Sequence, residues 1–457
     1  MSKTLHIVIL AAGEGTRMKS DLPKVLQSLG GRPLLTHLLD TAGALGPERI
    51  HVVIGSGADR VRAACSEYDV NWVLQQERRG TGHAVIQAMP DVPDDASVLV
   101  LLGDHPLIPV SVLSQMTQDC AELLSVLTME LEDPTGYGRI ERDRTGRVSG
   151  VVEHRDASPA QLAITEVNTG IIMADATALR RWLDSLDCDN IKQEYYLTDI
   201  FAMAHSQKAE IHGVIAPDSR DLQGANDRRQ LAALEQRYRY HVTSSLMMDG
   251  VHIIDPRRVD IRGPVEAGQD VSLDVNVVLE GNNRLGDRVT IGPGSVLKNC
   301  DLAAGTQVLA HCVLEGVTTT GACDIGPFAR LRPGTVLSAD CRIGNFVEAK
   351  NVQLGEGSKA SHLTYLGDSI IGRQVNIGAG TITCNYDGAN KHQTIIGDDV
   401  FVGSDCQLVA PVKVGRGATI GAGSTVTKDA PPDALTVSRS RQTTIEGWKR
   451  PRKDKDS

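Results

Sequence analysis

The 457-residue sequence predicts two domains of different class: an α/β domain with a Rossmann-like, largely parallel sheet, and an all-β parallel β-helix, joined by a connector helix. Three observations predict this. Up to about Asn226, short apolar strands alternate with helical stretches, the rhythm of a parallel α/β sheet. From Arg228 to about Met248, Leu231, Leu234, Tyr238 and Val242 recur at helical spacing among charged residues. Beyond about Gly250, an aliphatic residue returns every six positions, usually followed by Gly. The expected boundaries are residues 1–228, 229–249 and 250–457.

In the first domain the strand candidates include His6–Leu10, His51–Ile54, Val98–Leu102 and Gly170–Met173, and the helical ones Leu34–Leu45 and Ser111–Leu124. The first strand runs into Leu10-Ala11-Ala12-Gly13-Glu14-Gly15-Thr16-Arg17-Met18, followed by Leu22-Pro23-Lys24. Gly13 and Gly15 lack a Cβ, so backbone N–H groups can approach an oxyanion closely, and Arg17 and Lys24 add two positive charges. A glycine cradle flanked by Arg and Lys suits a polyphosphate. It is not a Walker A loop, because no Lys-Ser or Lys-Thr follows the glycines, and a dinucleotide fingerprint would need a third Gly where Met18 stands.

In the second domain the hexads begin at Leu285, Ile291, Leu302 and Ile325, resume at Ile343, Leu354 and Ile377, and continue at Ile396, Val402, Val414 and Ile420. Each aliphatic side chain is expected to point into a triangular core, with three hexads to a coil. Two stretches break the rhythm, Ala360–Ile370 and Thr383–Ile395. Both are expected to be loops extruded on a binding face.

Composition narrows the class. Charged residues make up 23% and hydrophobic ones 41%, ordinary for a globular protein, and aromatics only 3%, so the cores must be aliphatic. A net charge of −10 argues against nucleic acid as a partner, which calls for a basic footprint. No stretch approaches the roughly 20 apolar residues of a membrane span. Met1-Ser2-Lys3-Thr4 runs straight into a strand without a signal-peptide core. Nine scattered cysteines without a Cys-x-x-Cys pair fit neither a disulfide framework nor a zinc site, so a reducing cytoplasm is expected.

The Gly-rich string with its Pro-Lys resembles the signature of sugar-1-phosphate nucleotidyltransferases, and the hexads resemble left-handed parallel β-helices. Together, from about Ile7 to Lys449, they resemble the bifunctional bacterial family that makes UDP-N-acetylglucosamine. That family joins an N-acetylglucosamine-1-phosphate uridyltransferase to a glucosamine-1-phosphate N-acetyltransferase, feeding peptidoglycan and lipopolysaccharide synthesis. The resemblance implies a nucleotide loop of Leu10, Ala11, Ala12, Gly13 and Lys24, and uracil recognition by Gln75, Gly80 and Thr81. It implies sugar contacts from Gly138, Glu153 and Asn168, with Leu102 and Gly103 at the strand end, where some members carry Tyr in place of Leu102. Asp104 and Asn226 would hold Mg²⁺, a hard ion that prefers oxygen. Arg17 and Lys24 would steady the UTP triphosphate and its leaving pyrophosphate.

In the second half the resemblance makes His362 the general base, a role that imidazole suits because it titrates near neutral pH. Arg332 and Lys350 would grip the phosphate of glucosamine-1-phosphate, with Tyr365 and Asn376 alongside, and Glu348 would orient His362. Acetyl-CoA would lie along Ala379, Asn385, Tyr386, Ser404, Ala422 and Arg439, with Cys384 a candidate for thiol sensitivity. The family's homotrimer, with each acetyltransferase site built from neighbouring subunits, is implied too. Two rivals remain: a single nucleotidyltransferase whose β-helix serves oligomerisation, as in ADP-glucose pyrophosphorylases, and a non-enzymatic assembly like the exchange subunits of a translation factor. His362, Lys350 and Arg332 argue against the first, and Arg17, Lys24 and Asp104 against the second.

Overall fold

The computed structural model describes residues 3–118 and 123–452. It divides into two compact units, Met1–His241 and Val242–Ser457.

The first unit is built on a mixed sheet. Its strands lie in the order Ile211–Ile215, Leu124–Glu130, Glu166–Asp175, Ser97–Leu102, Leu5–Leu10, Arg49–Ile54 and Asn71–Leu74. The four strands from Ser97–Leu102 to Asn71–Leu74 are parallel, as the alternation predicts. Glu166–Asp175 runs antiparallel to both neighbours, so the sheet is less uniformly parallel than expected. The central strands are apolar on both faces, with Ile7, Val8, Ile9, Val98, Leu99 and Val100 all fully buried. Such continuous runs mark strands covered on both sides. Helices Leu34–Gly43 and Thr81–Ala88 contribute to that cover. The helix expected over Ser111–Leu124 is found as Val110–Gln118; residues 119–122 lie outside the described residues, and Leu124 opens a strand.

A helix spans Arg228–Met248. Leu231, Leu234 and Tyr238, three of its periodic residues, pack with Met18, Leu29, Leu34 and Ala225 in a small cluster of the first unit. Val242 and Leu246 pack in the core of the second unit.

That second unit is a parallel β-helix. One face is an 11-stranded ladder from His252–Ile253 to Leu435–Thr436, and the other two faces alternate through a 17-stranded sheet. Register measures the coil: Ser272 pairs with Thr290, Thr290 with Gln307, Gln307 with Asp324 and Asp324 with Arg342. Each step is 17 or 18 residues, three hexads. The hexad leaders form the core as expected, with Leu285, Ile291, Leu302, Ile325, Ile343, Leu354, Ile377, Ile396, Val402, Val414 and Ile420 all buried. Small residues fill the corners, among them Ser295, Thr306, Ser358 and Ser424 at 0% exposure and five buried cysteines.

The two interruptions turn out differently. Ala360–Ile370 is not an extruded loop: Lys359–His362 and Tyr365–Ile371 are strands paired in step with Arg342–Asn345 and Glu348–Leu354. What breaks the sequence rhythm is that Glu348–Leu354 and Tyr365–Ile371 run on unbroken where neighbouring coils have two short strands. Thr383–Ile395 does carry an inserted loop. The step from Asn376 to Phe401 is 25 residues, and the excess folds out between Cys384 and Thr394 with a Tyr386–Lys391 bridge.

Candidate active sites

In the first unit the site collects at the C-terminal ends of the central strands, where open α/β sheets bind ligands. Gly103 N donates to Leu10 O at 2.9 Å, and Ala11 N to Val53 O at 2.8 Å, so the loop opens directly off three strands. Gly103 leaves little space for a side chain: a Cβ would lie 3.1 Å from Leu10 O and 3.2 Å from Ala11 Cβ. Gly55 plays the same part against Ala12, whose carbonyl oxygen would lie 2.9 Å from an added Cβ. Beyond Gly13 the chain turns at Gly15 (φ 62°), makes one 3₁₀ turn over Thr16–Met18 and leaves through Lys19 (φ 48°). Met18 anchors that turn in the core, and Arg17 stands exposed on it without an ion pair among the described residues.

Lys24, Asp104 and Asn226 meet. Lys24 Nζ donates to Asp104 Oδ2 at 2.5 Å and to Asn226 Oδ1 at 3.1 Å. Burial alone would raise the Asp104 pKa, but the field of His105 and Lys24 and the Lys24 hydrogen bond outweigh it and hold the carboxyl low. An ionised carboxylate and an amide oxygen converging on one cation are a donor set of the kind a hard divalent ion takes, the remaining positions falling to water and phosphate. The residues fit Mg²⁺.

The base and sugar positions form two further groups. Gln75, 4% exposed, donates from Nε2 to Gly80 O at 3.2 Å and lies 3.0 Å from His83 Nδ1. Gly80 (φ 109°) sits against Tyr195, and Thr81 Oγ1 accepts from Leu197 N at 3.1 Å. Gly138, Glu153 and Asn168 converge as expected: a Cβ on Gly138 would lie 3.7 Å from both Glu153 Oε1 and Asn168 Cβ, and Asn168 N donates to Gly138 O at 2.9 Å. Leu102 closes this corner against Gly170. Burial raises the Glu153 pKa, against the Thr198 hydroxyl that donates to it at 3.2 Å.

Sequence reasoning missed two contributors here. Tyr195 stacks beside His83 and carries the Arg79 guanidinium 5.1 Å from its ring centroid, while Glu14 of the glycine loop pairs with Arg78 at 2.5 Å. The Tyr195-Tyr196 pair was visible in a chain with eight Tyr, but nothing local tied it to residues over a hundred positions away.

In the β-helix the register organises the site. Extending the observed pairings Ala360–Ile377, Ile377–Val402 and Val402–Ile420 by two residues sets His362, Ala379, Ser404 and Ala422 in one row, one per coil. Backbone bonds tie the row together, from Asp405 N to Ala379 O and from Gly423 N to Ser404 O, and Arg439 Nη1 ends it by donating to Ala422 O at 2.7 Å. His362 is exposed at the end of its strand.

A second group lies past the next corner. Lys350 pairs with Gly367, and a Cβ on Gly367 would collide with both Tyr365 Oη and Asn385 Nδ2. Asn385 Nδ2 donates to Asp368 Oδ2 at 2.6 Å, and Tyr386 and Lys391 bridge across the inserted loop. Contact with Lys391, a residue of the inserted loop to which the sequence assigned no role, lowers the Lys350 pKa, with burial second and Asp368 opposing. Asp368 partly offsets the positive charge of Lys350, Lys391 and Arg332, and three cations against one carboxylate favour a further anion. Its signal in the sequence was the Asn390-Lys391 step inside a loop otherwise short of positive charge.

Two of the expected residues have other partners within one chain. Glu348, expected to orient His362, has a carboxylate that accepts from Arg332 Nη1 at 3.1 Å, since alternate residues of Arg330–Leu331 and Glu348–Leu354 place both on the outer face. Asn376 is not beside Lys350 and Tyr365 in this chain; it pairs with Lys359 and Phe401, three positions before the His362 row. Cys384 is partly buried, and burial raises its thiol pKa, which reduces its thiolate fraction.

Comparison with known proteins finds relatives of both domains. Residues 7–133 match the MobA-like NTP transferase domain, and residues 393–428 match six repeats of the bacterial transferase hexapeptide. Proteins named bifunctional protein GlmU match nearly end to end. The one from Alkalilimnicola ehrlichii is 54% identical over 451 residues, 99% of this chain and 97% of its own. Those from Stenotrophomonas maltophilia and Xanthomonas axonopodis pv. citri are 54% and 55% identical over 454 residues, covering 99% of this chain and 100% and 99% of their own. The chain belongs to the GlmU family. It is a bifunctional transferase, a UDP-N-acetylglucosamine pyrophosphorylase and a glucosamine-1-phosphate N-acetyltransferase. Neither a single-activity nucleotidyltransferase nor a non-enzymatic assembly describes it.

Proposed function

We propose that the residues assembled above divide the two reactions as follows. In the first unit, UTP lies over Gly13–Gly15 with its base read by Gln75, Gly80 and Thr81, and the acceptor sugar sits among Gly138, Glu153 and Asn168. An oxygen of N-acetylglucosamine-1-phosphate attacks the α-phosphorus and pyrophosphate leaves. Such a transfer asks the protein for positioning and charge rather than covalent help. Lys24 and Arg17 supply the positive charge for the triphosphate and the departing pyrophosphate. A Mg²⁺ on Asp104 and Asn226 would add charge neutralisation at the phosphates when bound. The carrying observation is the Lys24 ammonium bridging Asp104 and Asn226, a cation already stationed where the triphosphate must be neutralised.

In the second unit the glucosamine-1-phosphate phosphate sits between Arg332, Lys350 and Lys391, with Tyr365 nearby, and acetyl-CoA runs along Ala379, Ser404 and Ala422 toward Arg439, flanked by Asn385 and Tyr386. His362 takes a proton from the amine as nitrogen attacks the thioester carbonyl. The new N–C bond forms, the C–S bond breaks, and the CoA sulfur leaves to be protonated.

A homotrimer completes this second site. Its support is Asn376, displaced from the phosphate group within one chain, and the exposed apolar ladder beside the His362 row. His311, Phe328 and Phe346 stack at 5.2 and 5.3 Å and are followed by Leu363, with the last three 46%, 59% and 64% exposed. No described helix is long and apolar enough to cross a membrane, and a cytoplasmic location fits the substrates.

The test is a double dissociation in the full chain. His362→Ala should abolish CoA release with glucosamine-1-phosphate and spare uridyltransfer, and Lys24→Ala should do the reverse. Loss of both activities in either variant, with the fold intact, would overturn the division.

A further inference from the structure

Strand Arg139–Arg142 opens with a guanidinium that neither reaction uses. Arg139 is 2% exposed, and among the described residues it has no ion pair. Its Nη1 donates to Tyr137 O, its Nη2 lies 3.5 Å from His154 Nδ1, and its Nε is buried with no partner. Burial lowers its pKa, with Asp133 only partly opposing. A cation buried without a paired carboxylate is costly, and an apolar residue would pack there without that cost. What the guanidinium does and an apolar residue could not is hold a carbonyl.

That carbonyl belongs to the Tyr137–Gly138 peptide. The peptide is planar, so its C=O and the following N–H point to opposite sides, and fixing Tyr137 O fixes the direction of the Gly138 N–H. Gly138 is free to turn otherwise, having no side chain to pack. Its other side is the proposed sugar subsite: its carbonyl accepts from Asn168 N at 2.9 Å, and its α-carbon faces Glu153 Oε1. The second arm of the guanidinium reaches His154, the neighbour of Glu153 in sequence. One side chain thus holds the carbonyl before Gly138 and touches the imidazole that follows Glu153.

We infer that Arg139 is a positioning residue for the acceptor sugar: it locks the Tyr137–Gly138 peptide so that the Gly138 N–H is presented, next to Glu153 and Asn168, to a hydrogen-bond acceptor on the N-acetylated sugar. The inference rests on reading Gly138, Glu153 and Asn168 as the sugar subsite. It requires the effect to fall on the sugar phosphate and not on UTP.

The experiment compares Arg139→Gln and Arg139→Lys with Glu153→Gln and Asn168→Ala in the full-length protein, with acetyltransfer as an internal control. Arg139→Gln should raise the KM for N-acetylglucosamine-1-phosphate about tenfold or more, a loss of about 1.4 kcal/mol of binding. The KM for UTP and acetyltransfer should stay unchanged, and affinity for UDP-N-acetylglucosamine should fall toward that for UDP alone. Arg139→Lys, which keeps a charged donor, should recover part of the loss. If Arg139→Gln fails to fold, the same split is read from Arg139→Lys. Equal loss toward both substrates, or an unchanged sugar-phosphate KM, overturns the role of Arg139. If Glu153→Gln and Asn168→Ala also leave that KM unchanged, it is the subsite reading itself that fails.

Discussion

The Lys24 ammonium lies 2.5 Å from Asp104 Oδ2 and 3.1 Å from Asn226 Oδ1, so one positive charge occupies the ground between the two oxygens proposed for a divalent cation. A metal held there would compete with the lysine for the same carboxylate. Lys24→Ala should lower uridyltransfer about 10²–10³-fold, the usual effect of removing one preorganised charge from a transferring group. The same variant should bind Mn²⁺ more tightly than the parent when no nucleotide is present, read by the electron paramagnetic signal of free Mn²⁺. Weaker Mn²⁺ binding in the variant would show that the lysine helps to build the cation site instead of guarding it.

Gly15 tests the loop without touching a charge. At φ 62° it adopts a conformation that costs an ordinary residue about 1–2 kcal/mol, and its missing Cβ would lie 2.6 Å from Lys24 Cβ. Gly15→Ala should therefore displace Lys24 and reduce kcat for uridyltransfer, with acetyltransfer unaffected. Gly13, with nothing within 4 Å of a Cβ, offers the contrast. Gly13→Ala should preserve the position of Lys24, so any loss should appear in the KM for UTP. Identical kinetic defects in the two variants would argue against the Lys24 contact as the cause.

Much of this was legible in the sequence because the relevant signals are local. Gly15 and Lys24 are nine positions apart, and the hexad leaders announce their own burial. The antiparallel strand Glu166–Asp175 was not legible in direction, since a buried apolar run reads alike either way. Nor was the strand character of Lys359–His362, because the small and polar residues there break the hexad pattern while the backbone keeps its pairing. Arg139, Tyr195 and Lys391 were missed for a third reason. What sets them apart is burial or a distant neighbour, and only folding shows that a guanidinium has lost its solvent or that Lys391 comes against Lys350.

The Arg332–Glu348 pair at 3.1 Å separates two roles for Glu348. If the carboxylate only balances Arg332, Glu348→Gln should change the KM for glucosamine-1-phosphate by a few-fold, while the pH profile of kcat for acetyltransfer stays in place. Both side chains are about 40% exposed, so the pair itself should add little to stability. His362→Ala should instead lower kcat by about 10²–10⁴-fold, the range for losing a general base. A shifted pH profile in Glu348→Gln would instead show that Glu348 orients His362.

Acid should weaken the first unit through a buried imidazole pair. His6 Nδ1 and His51 Nε2 are 3.0 Å apart, with the residues 4% and 1% exposed, and Asn71 links His51 onward to Asp91. Burial, with His6 beside it, pulls the His51 pKa down to about 4 despite Asp91, and burial lowers that of His6 as well. A histidine whose folded pKa is depressed stays neutral in the native state while the unfolded chain takes up the proton. Its contribution is therefore complete above the unfolded value near 6.5, and falls as pH drops from there toward 4. For His51 the loss should reach about 2–3 kcal/mol over that window, with His6 adding to it. Denaturant unfolding followed by fluorescence of the fully buried Trp182 would measure it in the first unit. His51→Asn should flatten the slope between pH 6.5 and 4, whatever it does to stability at pH 7.5. A parallel acid limb in parent and variant would mean that other groups, and not this pair, take up the protons.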